Sequence, residues 1–304
     1  MAEYSIGVDL GGTNLRAAAI SSTGQILEKV SGETKLSAGR DAVVADMVAS
    51  IVKLRDKCGS SGLAGVGIGT PGFIIMEKGI ITASPNLPGF ENFPMRDDIE
   101  RQLRAPVILE NDANAAALGE KWQGAGRDVD DLVLLTLGTG IGGGVIVGGR
   151  ALHGYLGMAG ELGHITVNPM GNPCGCGNRG CLEKHASATA VSALARVLNV
   201  GENLTAKQIC ALATSGDERA LRVWSLMGEA LGVALAMLVN IFNAPLYLLS
   251  GGMLPAWEFF APTMMDVIRQ RSFTFRASET RIEKATLGNE AGLYGAAYLP
   301  WLEA

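Results

Sequence analysis

Runs and alternations of apolar positions divide the chain into strands first and helices later. Ser5-Ile6-Gly7-Val8-Asp9 is apolar until its acid, Gly11-Gly12-Thr13 reads as a turn, and Leu15-Arg16-Ala17-Ala18-Ala19-Ile20 is apolar again, so the chain is expected to open with a β-hairpin. A third strand is expected over 26–30, a helix over 41–57, and buried strands over 63–68 and 106–109, with a helix beginning near Asp112. Farther on the pattern is helical, over 186–198, 205–213, 219–242, 255–269 and 291–301. An apolar strand over 246–249 interrupts it and ends at Ser250-Gly251-Gly252. Strands followed by alternation with helices imply an α/β layer structure.

Residues 9–20 and 136–147 share one plan of strand, glycine turn and strand. Only a Leu-Gly pair is identical, so the repeat is a hint of two similar lobes and no more. No Pro-rich or Ser-rich linker divides them. The stretch 230–257 carries no charge, but Asn240, Asn243 and Pro245 divide it, which fits a buried helix and a buried strand better than a membrane span.

Composition narrows the function. A length of 304 residues suggests two domains. A net charge of −5 leaves no broad basic face, so neither nucleic acid nor a membrane surface is an expected partner. Glycine is over-represented, 41 residues against only 11 prolines, which implies tight turns and close backbone approach to ligands rather than disorder. The first residues lack a basic n-region and Asp9 interrupts the first apolar run, so export is not expected. Five cysteines, three of them within 174–181, suit the reducing cytoplasm and a metal knuckle better than a disulfide framework.

Glycine turns after strands offer backbone N–H groups to a phosphate with no Cβ in the way. No Gly-x-x-x-x-Gly-Lys-Ser/Thr occurs, which removes the P-loop class. Gly138-x-Gly140-x-x-Gly143 spells a dinucleotide fingerprint, yet Val145-Ile146-Val147 continues it as a strand where that motif needs a helix. One such turn alone is read as a hairpin corner. Two of them, with Ser250-Gly251-Gly252 as a third after a strand, favour phosphate binding.

Six motifs then occur in order: Asp9-x-Gly-Gly-Thr-x-x-Arg16, 110–117 (Glu-Asn-Asp-Ala-Asn-Ala-Ala-Ala), 137–144 (Leu-Gly-Thr-Gly-Ile-Gly-Gly-Gly), 160–164 (Gly-Glu-Leu-Gly-His), 174–183 (Cys-Gly-Cys-Gly-Asn-Arg-Gly-Cys-Leu-Glu) and 292–297 (Gly-Leu-Tyr-Gly-Ala-Ala). Together they resemble the ROK family of repressors, open reading frames and sugar kinases, in particular sugar kinases of the bacterial glucokinase type, from about residue 5 to about residue 300. The resemblance implies a two-lobed, actin-like (ribonuclease H-like) α/β ATPase fold with an interlobe active-site cleft, in a homodimer or tetramer. The expected lobes are residues 1–113 with 289–304, and residues 114–288, the latter holding a zinc knuckle.

The resemblance also assigns roles. Asp112 is implied as the base that takes the proton of the attacking sugar hydroxyl. Asn86, Asn111, Asp112, Glu161, His164 and Glu183, with the Gly72 backbone, are implied as hexose contacts. Asp9 is implied to hold Mg²⁺; Gly11, Gly12 and Thr13 face one side of the ATP phosphates, Gly138, Thr139 and Gly140 the other, and Gly251 and Gly252 the adenosine. Asn14 stands where many relatives carry Lys, and Arg16 is given no role.

The residues themselves admit plainer readings. Asp112 sits where a strand meets a helix, a place for a ligand and equally for an N-cap. Asn86, between two prolines, is by default a turn residue, Glu161 a solvated loop acid and Glu183 a helix first-turn charge. His164 with Cys174, Cys176 and Cys181 supplies four ligands with no open position, which fits structural Zn²⁺; reduced cysteines or a disulfide are the alternative. In that arrangement one nitrogen of His164 must face the metal and the other the sugar. Cys58 and Cys210 are read as buried small hydrophobes.

Phosphorylation of a hexose by ATP is thus the leading expectation, glucose to glucose 6-phosphate before fructose, mannose or an N-acetylated hexosamine. A sugar-sensing ROK regulator would need a helix-turn-helix, and only four residues precede Ser5. An actin-like structural ATPase would leave the hexose set unexplained.

Overall fold

The computed structural model describes residues 3–302, so the lobe ends expected at 1–2 and 303–304 lie outside the described residues. β1 (Tyr4–Leu10) and β2 (Asn14–Ser21) form the expected antiparallel hairpin, and β3 (Ile26–Glu33) extends it. α1 (Arg40–Cys58) leads to β4 (Leu63–Thr70), which lies parallel to β1. The hairpin β5 (Phe73–Ile75) and β6 (Ile80–Ala83) and helix α2 (Met95–Leu103) precede β7 (Val107–Asn111), which runs parallel to β4. The resulting sheet has the order β3-β2-β1-β4-β7. α1 packs on β2, β3 and β1, and its Met47, Ile51 and Leu54 share one buried core with Ile6, Val8, Val66 and Ile68 of the sheet.

On the other face lie α3 (Asp112–Gln123) and α9 (Ala291–Leu302). They cross nearly backbone to backbone, because a Cβ at Gly295 would stand 1.6 Å from the Ala115 carbonyl and one at Gly119 only 2.1 Å from that of Ala291. Glu120, fully buried, accepts the backbone N–H groups of Ala125, Thr286 and Leu287, which fastens the end of α3 to the chain entering α9.

A second sheet contains β8 (Leu132–Leu137), β9 (Ile141–Val147), β10 (Arg150–Ala151), β11 (Leu246–Ser250) and β12 (Arg281–Lys284), in the order β10-β9-β8-β11-β12. Each sheet is therefore a three-strand meander whose first strand is flanked by two later strands. The weak 9–20 and 136–147 repeat marks the two hairpins. β9 runs through Gly142 and Gly143, so the dinucleotide reading fails as its context indicated.

The helices that follow are α4 (Glu183–Ala186), α5 (Ala188–Val197), α6 (Ala206–Thr214), α7 (Glu218–Phe242) and α8 (Trp257–Arg271). The single helix expected over 186–198 is broken at Ser187, whose extended backbone and hydroxyl cap α5 by accepting the Ala190 N–H. α7 is long and apolar enough to cross a membrane, yet it packs along α8 and buries Leu231, Leu235 and Val239, and every residue of β11 is buried. Most of the uncharged stretch is core, as expected, while Ile241 and the dividing Asn240, Asn243 and Pro245 are exposed.

Packing divides the chain into two compact units. The first runs to Leu132, includes Gly144–Gly160 and resumes at Ala285; the second is Val133–Gly143 with Glu161–Lys284. These differ from the expected lobes in keeping α3 in the first unit, a consequence of its close crossing with α9, and in assigning Gly144–Gly160 there as well.

Candidate active site

In the first unit, parallel strands bring chemistry to one edge of the sheet. Asp9 is in register with Gly69, and Thr70 with Asn111, so β1, β4 and β7 end on the same side, the side where α/β sheets bind ligands. The N-cap of α3 is Asn111 rather than Asp112: its side chain accepts from the N–H groups of Ala113 (2.9 Å) and Asn114 (3.3 Å). Asp112 is consequently the first helical residue, half-buried, with Oδ1 accepting the Ala113 N–H at 2.9 Å. An anion at a helix start is stabilised by the aligned peptide dipoles. Asn111 also donates to the Gly72 carbonyl at 3.4 Å, and Gly72 holds φ 117° between β4 and β5.

The first hairpin corner is closed by the Gly11 N–H donating to the Asn14 carbonyl, 2.8 Å, and the Gly11 carbonyl is held by the Thr34 hydroxyl, 2.7 Å. Thr13 stands exposed beside it. Gly12 lies so close to the Ser84–Leu87 turn that a Cβ there would fall 2.9 Å from the Asn86 carbonyl, which places exposed Asn86 at this corner. Asp9 is ion-paired with Arg16 across the hairpin. Burial pushes the Asp9 carboxyl up from the usual range, and Arg16 opposes that push. The residue left without a role in the sequence thus answers the charge of Asp9.

In the second unit the hairpin corner Gly138–Thr139–Gly140 is clasped by the start of α5. Ala188 N–H donates to the Gly138 carbonyl (2.9 Å) and the Thr189 hydroxyl to that of Thr139 (2.8 Å). Gly251, at φ 103°, sits where a Cβ would meet the Leu137 carbonyl at 2.4 Å, so the turn after β11 rests on the end of β8; Gly252 faces open space.

The ligating atoms of His164, Cys174, Cys176 and Cys181 all lie within 4.8 Å of one another. Cys174 Sγ is 3.6 Å from His164 Nδ1, while His164 Nε2 is 3.9 Å from Glu161 Oε2, so one ring nitrogen faces the cluster and the other faces away toward a carboxylate. Cys176 and Cys181 are 3.7 Å apart, too far for a disulfide. Burial and the neighbouring thiols push Cys181 up to about 12, and hydrogen bonding to the Asn178 backbone pulls Cys176 down. Three sulfur donors and one imidazole this close fit a tetrahedral dication such as zinc. Cys58 and Cys210, expected buried, are half-buried. Glu183 accepts at 3.5 Å from Cys174, and its other oxygen is where a Cβ on Gly140 would arrive, 2.8 Å away. Glu161, His164, Glu183 and the glycine corner therefore form one contiguous group.

Two sheets of one strand order, each with a glycine hairpin corner at its strand ends, define an actin-like ATPase fold. The chain belongs to the ROK family, whose model matches residues 5–301. It is 39% identical to a glucokinase of Thermotoga maritima over 96% of this chain and 95% of that protein. Among solved structures it is similar to the ROK hexokinase of Thermus thermophilus, with a TM-score of 0.88 and 36% identity over 99% of this chain and 98% of the other. It is also similar to a ROK family glucokinase of Streptomyces griseus in complex with glucose and AMPPNP, with a TM-score of 0.77 and 32% identity over 97% and 98% of the two chains.

Proposed function

We propose that this protein is an ATP-dependent hexokinase that converts glucose to glucose 6-phosphate in the cytoplasm. The observation that carries the reading is the β7–α3 junction, where Asn111 takes the cap and leaves Asp112 as a carboxylate in the first turn. Family membership and glucokinase relatives over nearly the whole length support the substrate class.

In this reading the residues proposed to contact the sugar are Gly72, Asn86, Asn111, Asp112, Glu161, His164 and Glu183. Carboxylates accept from vicinal hydroxyls, and the side-chain amides of Asn86 and Asn111 donate and accept. Gly12, Thr13, Thr139 and Gly140 offer backbone N–H groups to the phosphates, Gly11 and Gly138 shape the two corners by donating to the Asn14 and Gly140 carbonyls, and Gly251 with Gly252 takes the adenosine. Asp112 aims the 6-hydroxyl oxygen at the γ-phosphorus. The new O–P bond forms as the bond to the bridging oxygen breaks, ADP leaves, and the hydroxyl proton passes to the Asp112 carboxylate. The proton leaves late in a loose transition state, so a weak base suffices.

Asp9, one half-buried carboxylate at the hairpin, suits Mg²⁺, which takes few protein ligands and keeps phosphate oxygens and water. When bound, that ion offsets the charge that develops on the phosphates. Zn²⁺ is assigned to His164, Cys174, Cys176 and Cys181 as a structural ion that orients His164 and its neighbours. A homodimer or tetramer is the proposed assembly. Release of ADP measured over glucose, fructose, mannose and N-acetylated hexosamines tests the activity; the expected result is turnover with glucose above all, and no turnover with any hexose overturns it.

A further inference from the structure

Glu110, one residue before the Asn111–Asp112 pair, is a carboxylate only 2% exposed, in a place where burial is costly unless every lone pair is answered. Three donors answer it. Oε1 accepts the Asn111 backbone N–H (2.8 Å) and the Asn114 side-chain amide (3.1 Å), both belonging to the turn and first helical residues that carry Asp112. Oε2 is 2.7 Å from Nε2 of His153, which is half exposed. His153 follows β10, and its carbonyl accepts the Ala159 N–H at 3.0 Å, closing the loop over 153–159. Neither residue bears on sugar or phosphate recognition in the reading above, yet together they tie that loop to the turn holding Asp112.

We propose that Glu110 and His153 are positioning residues for phosphoryl transfer: the His153 imidazolium neutralises the buried Glu110 carboxylate, which in turn fixes the backbone and first helical turn that aim Asp112. The proposal rests on the assignment of Asp112 as the base. Its physical content is the set of bonds that Glu110 accepts, the Asn111 and Asn114 donors on one oxygen and His153 on the other. A charged donor strengthens the bond it makes. The charged groups that face His153 are Glu110 from β7, Arg150 from β10 and Arg96 from α2, which share with it the lining of a cavity of about 240 Å³. Arg96 donates to the Met76 and Glu77 carbonyls and Arg150 to the Leu302 carbonyl. His153 is the titrating partner of Glu110. Its hydrogen bond to Glu110 holds its proton above the ordinary histidine range, against partial burial. The charge-assisted bond is thus complete at lower pH and weakens as pH rises through that raised value.

The test compares wild type with His153→Leu, His153→Gln and Glu110→Gln, measuring kcat and KM for glucose and ATP across about pH 6 to 9, together with backbone amide exchange over 111–114. His153→Leu and Glu110→Gln are expected to lower kcat by about ten- to a hundredfold, the rate equivalent of one hydrogen bond to a charged group. KM for ATP should stay within about twofold and exchange at 111–114 should quicken. His153→Gln, a neutral donor at every pH, should hold kcat between that of the wild type and that of His153→Leu, and lack the alkaline decline of the wild type. Wild-type kcat and pH profile in His153→Leu, or an alkaline decline that persists unchanged in His153→Gln, overturns the proposal. Asp112→Asn in the same assay separates the two readings. If it turns over normally, the base assignment falls whatever His153 does; if it is inactive while His153→Leu is not, only the positioning role falls.

Discussion

The two sheets share one strand order and end it differently. In the first, the ends of β1 and β7 present carboxylates, Asp9 with its Arg16 partner and Asp112 in the first turn of α3. In the second, the ends of β8 and β11 present bare glycine corners, and the acids Glu161 and Glu183 come from chain ordered around a Cys₃His cluster. The same strand order thus carries acids at its ends in the first sheet, whereas beside the second the acids come from chain outside the sheet. Topology supplies strand ends at a common edge, and the side chains placed there set the chemistry available.

The largest effect that would break this contrast is in the first unit. Asp112→Asn should lower kcat by about 10²- to 10⁴-fold while calorimetry shows glucose binding largely kept; near-normal turnover would remove the acid from the chemistry. In the second unit, Cys181→Ser should drop the metal content well below one ion per chain and cost about 10- to 100-fold in activity, seen mostly in KM for glucose. Full activity with no bound zinc, by stoichiometric metal analysis, would show that the cluster is not needed to hold Glu161, His164 and Glu183.

A subtler comparison lies within one turn. Gly251→Ala forces a left-handed backbone and a 2.4 Å approach to the Leu137 carbonyl, and should cost about 1–3 kcal/mol in urea unfolding. Gly252→Ala, which meets open space, should leave stability unchanged. Equal losses would mean that the β11 turn does not rest on β8.

The smallest expected effect contrasts the helix caps of the two units. α7 is capped by Asp217, whose carboxyl is held below the usual range by the Ala220 N–H first and Arg219 second; α3 is capped by neutral Asn111. A depressed pKa contributes stability above the ordinary aspartate range that is lost as pH falls through the folded value. Asp217→Asn, which keeps an acceptor, should match wild type near pH 7 and lose less of its stability at about pH 3. An unchanged acid limb would mean that the cap is not titrating.

Sequence legibility followed local signal. Long periodic segments were readable, and β1, β2, α7 and β11 lie close to where apolar pattern placed them. α2 was not read, although Met95, Ile99 and Leu103 have helical spacing, because it begins at Pro94 with no side-chain cap. β12 was hidden because Arg281–Lys284 is a short charged edge strand recognised only by its partner β11. Cap identity failed for another reason: Asn and Asp are nearly equivalent caps, so only backbone angles separate Asn111 from Asp112.

The sequence by itself determined the two glycine hairpins and the clustered spacing of the cysteines and acids, because turns, residue types and apolar periodicity depend on neighbours along the chain. Tertiary structure alone decided that Arg16 meets Asp9 and that His164 turns Nδ1 to the cluster and Nε2 to Glu161. It also decided that His153 reaches Glu110, 43 positions away. Such pairings rest on which strands lie side by side and which helix backbones can touch, and a single chain of residue types does not encode that distance by distance; it emerges when the sheets close and buried charges must find partners.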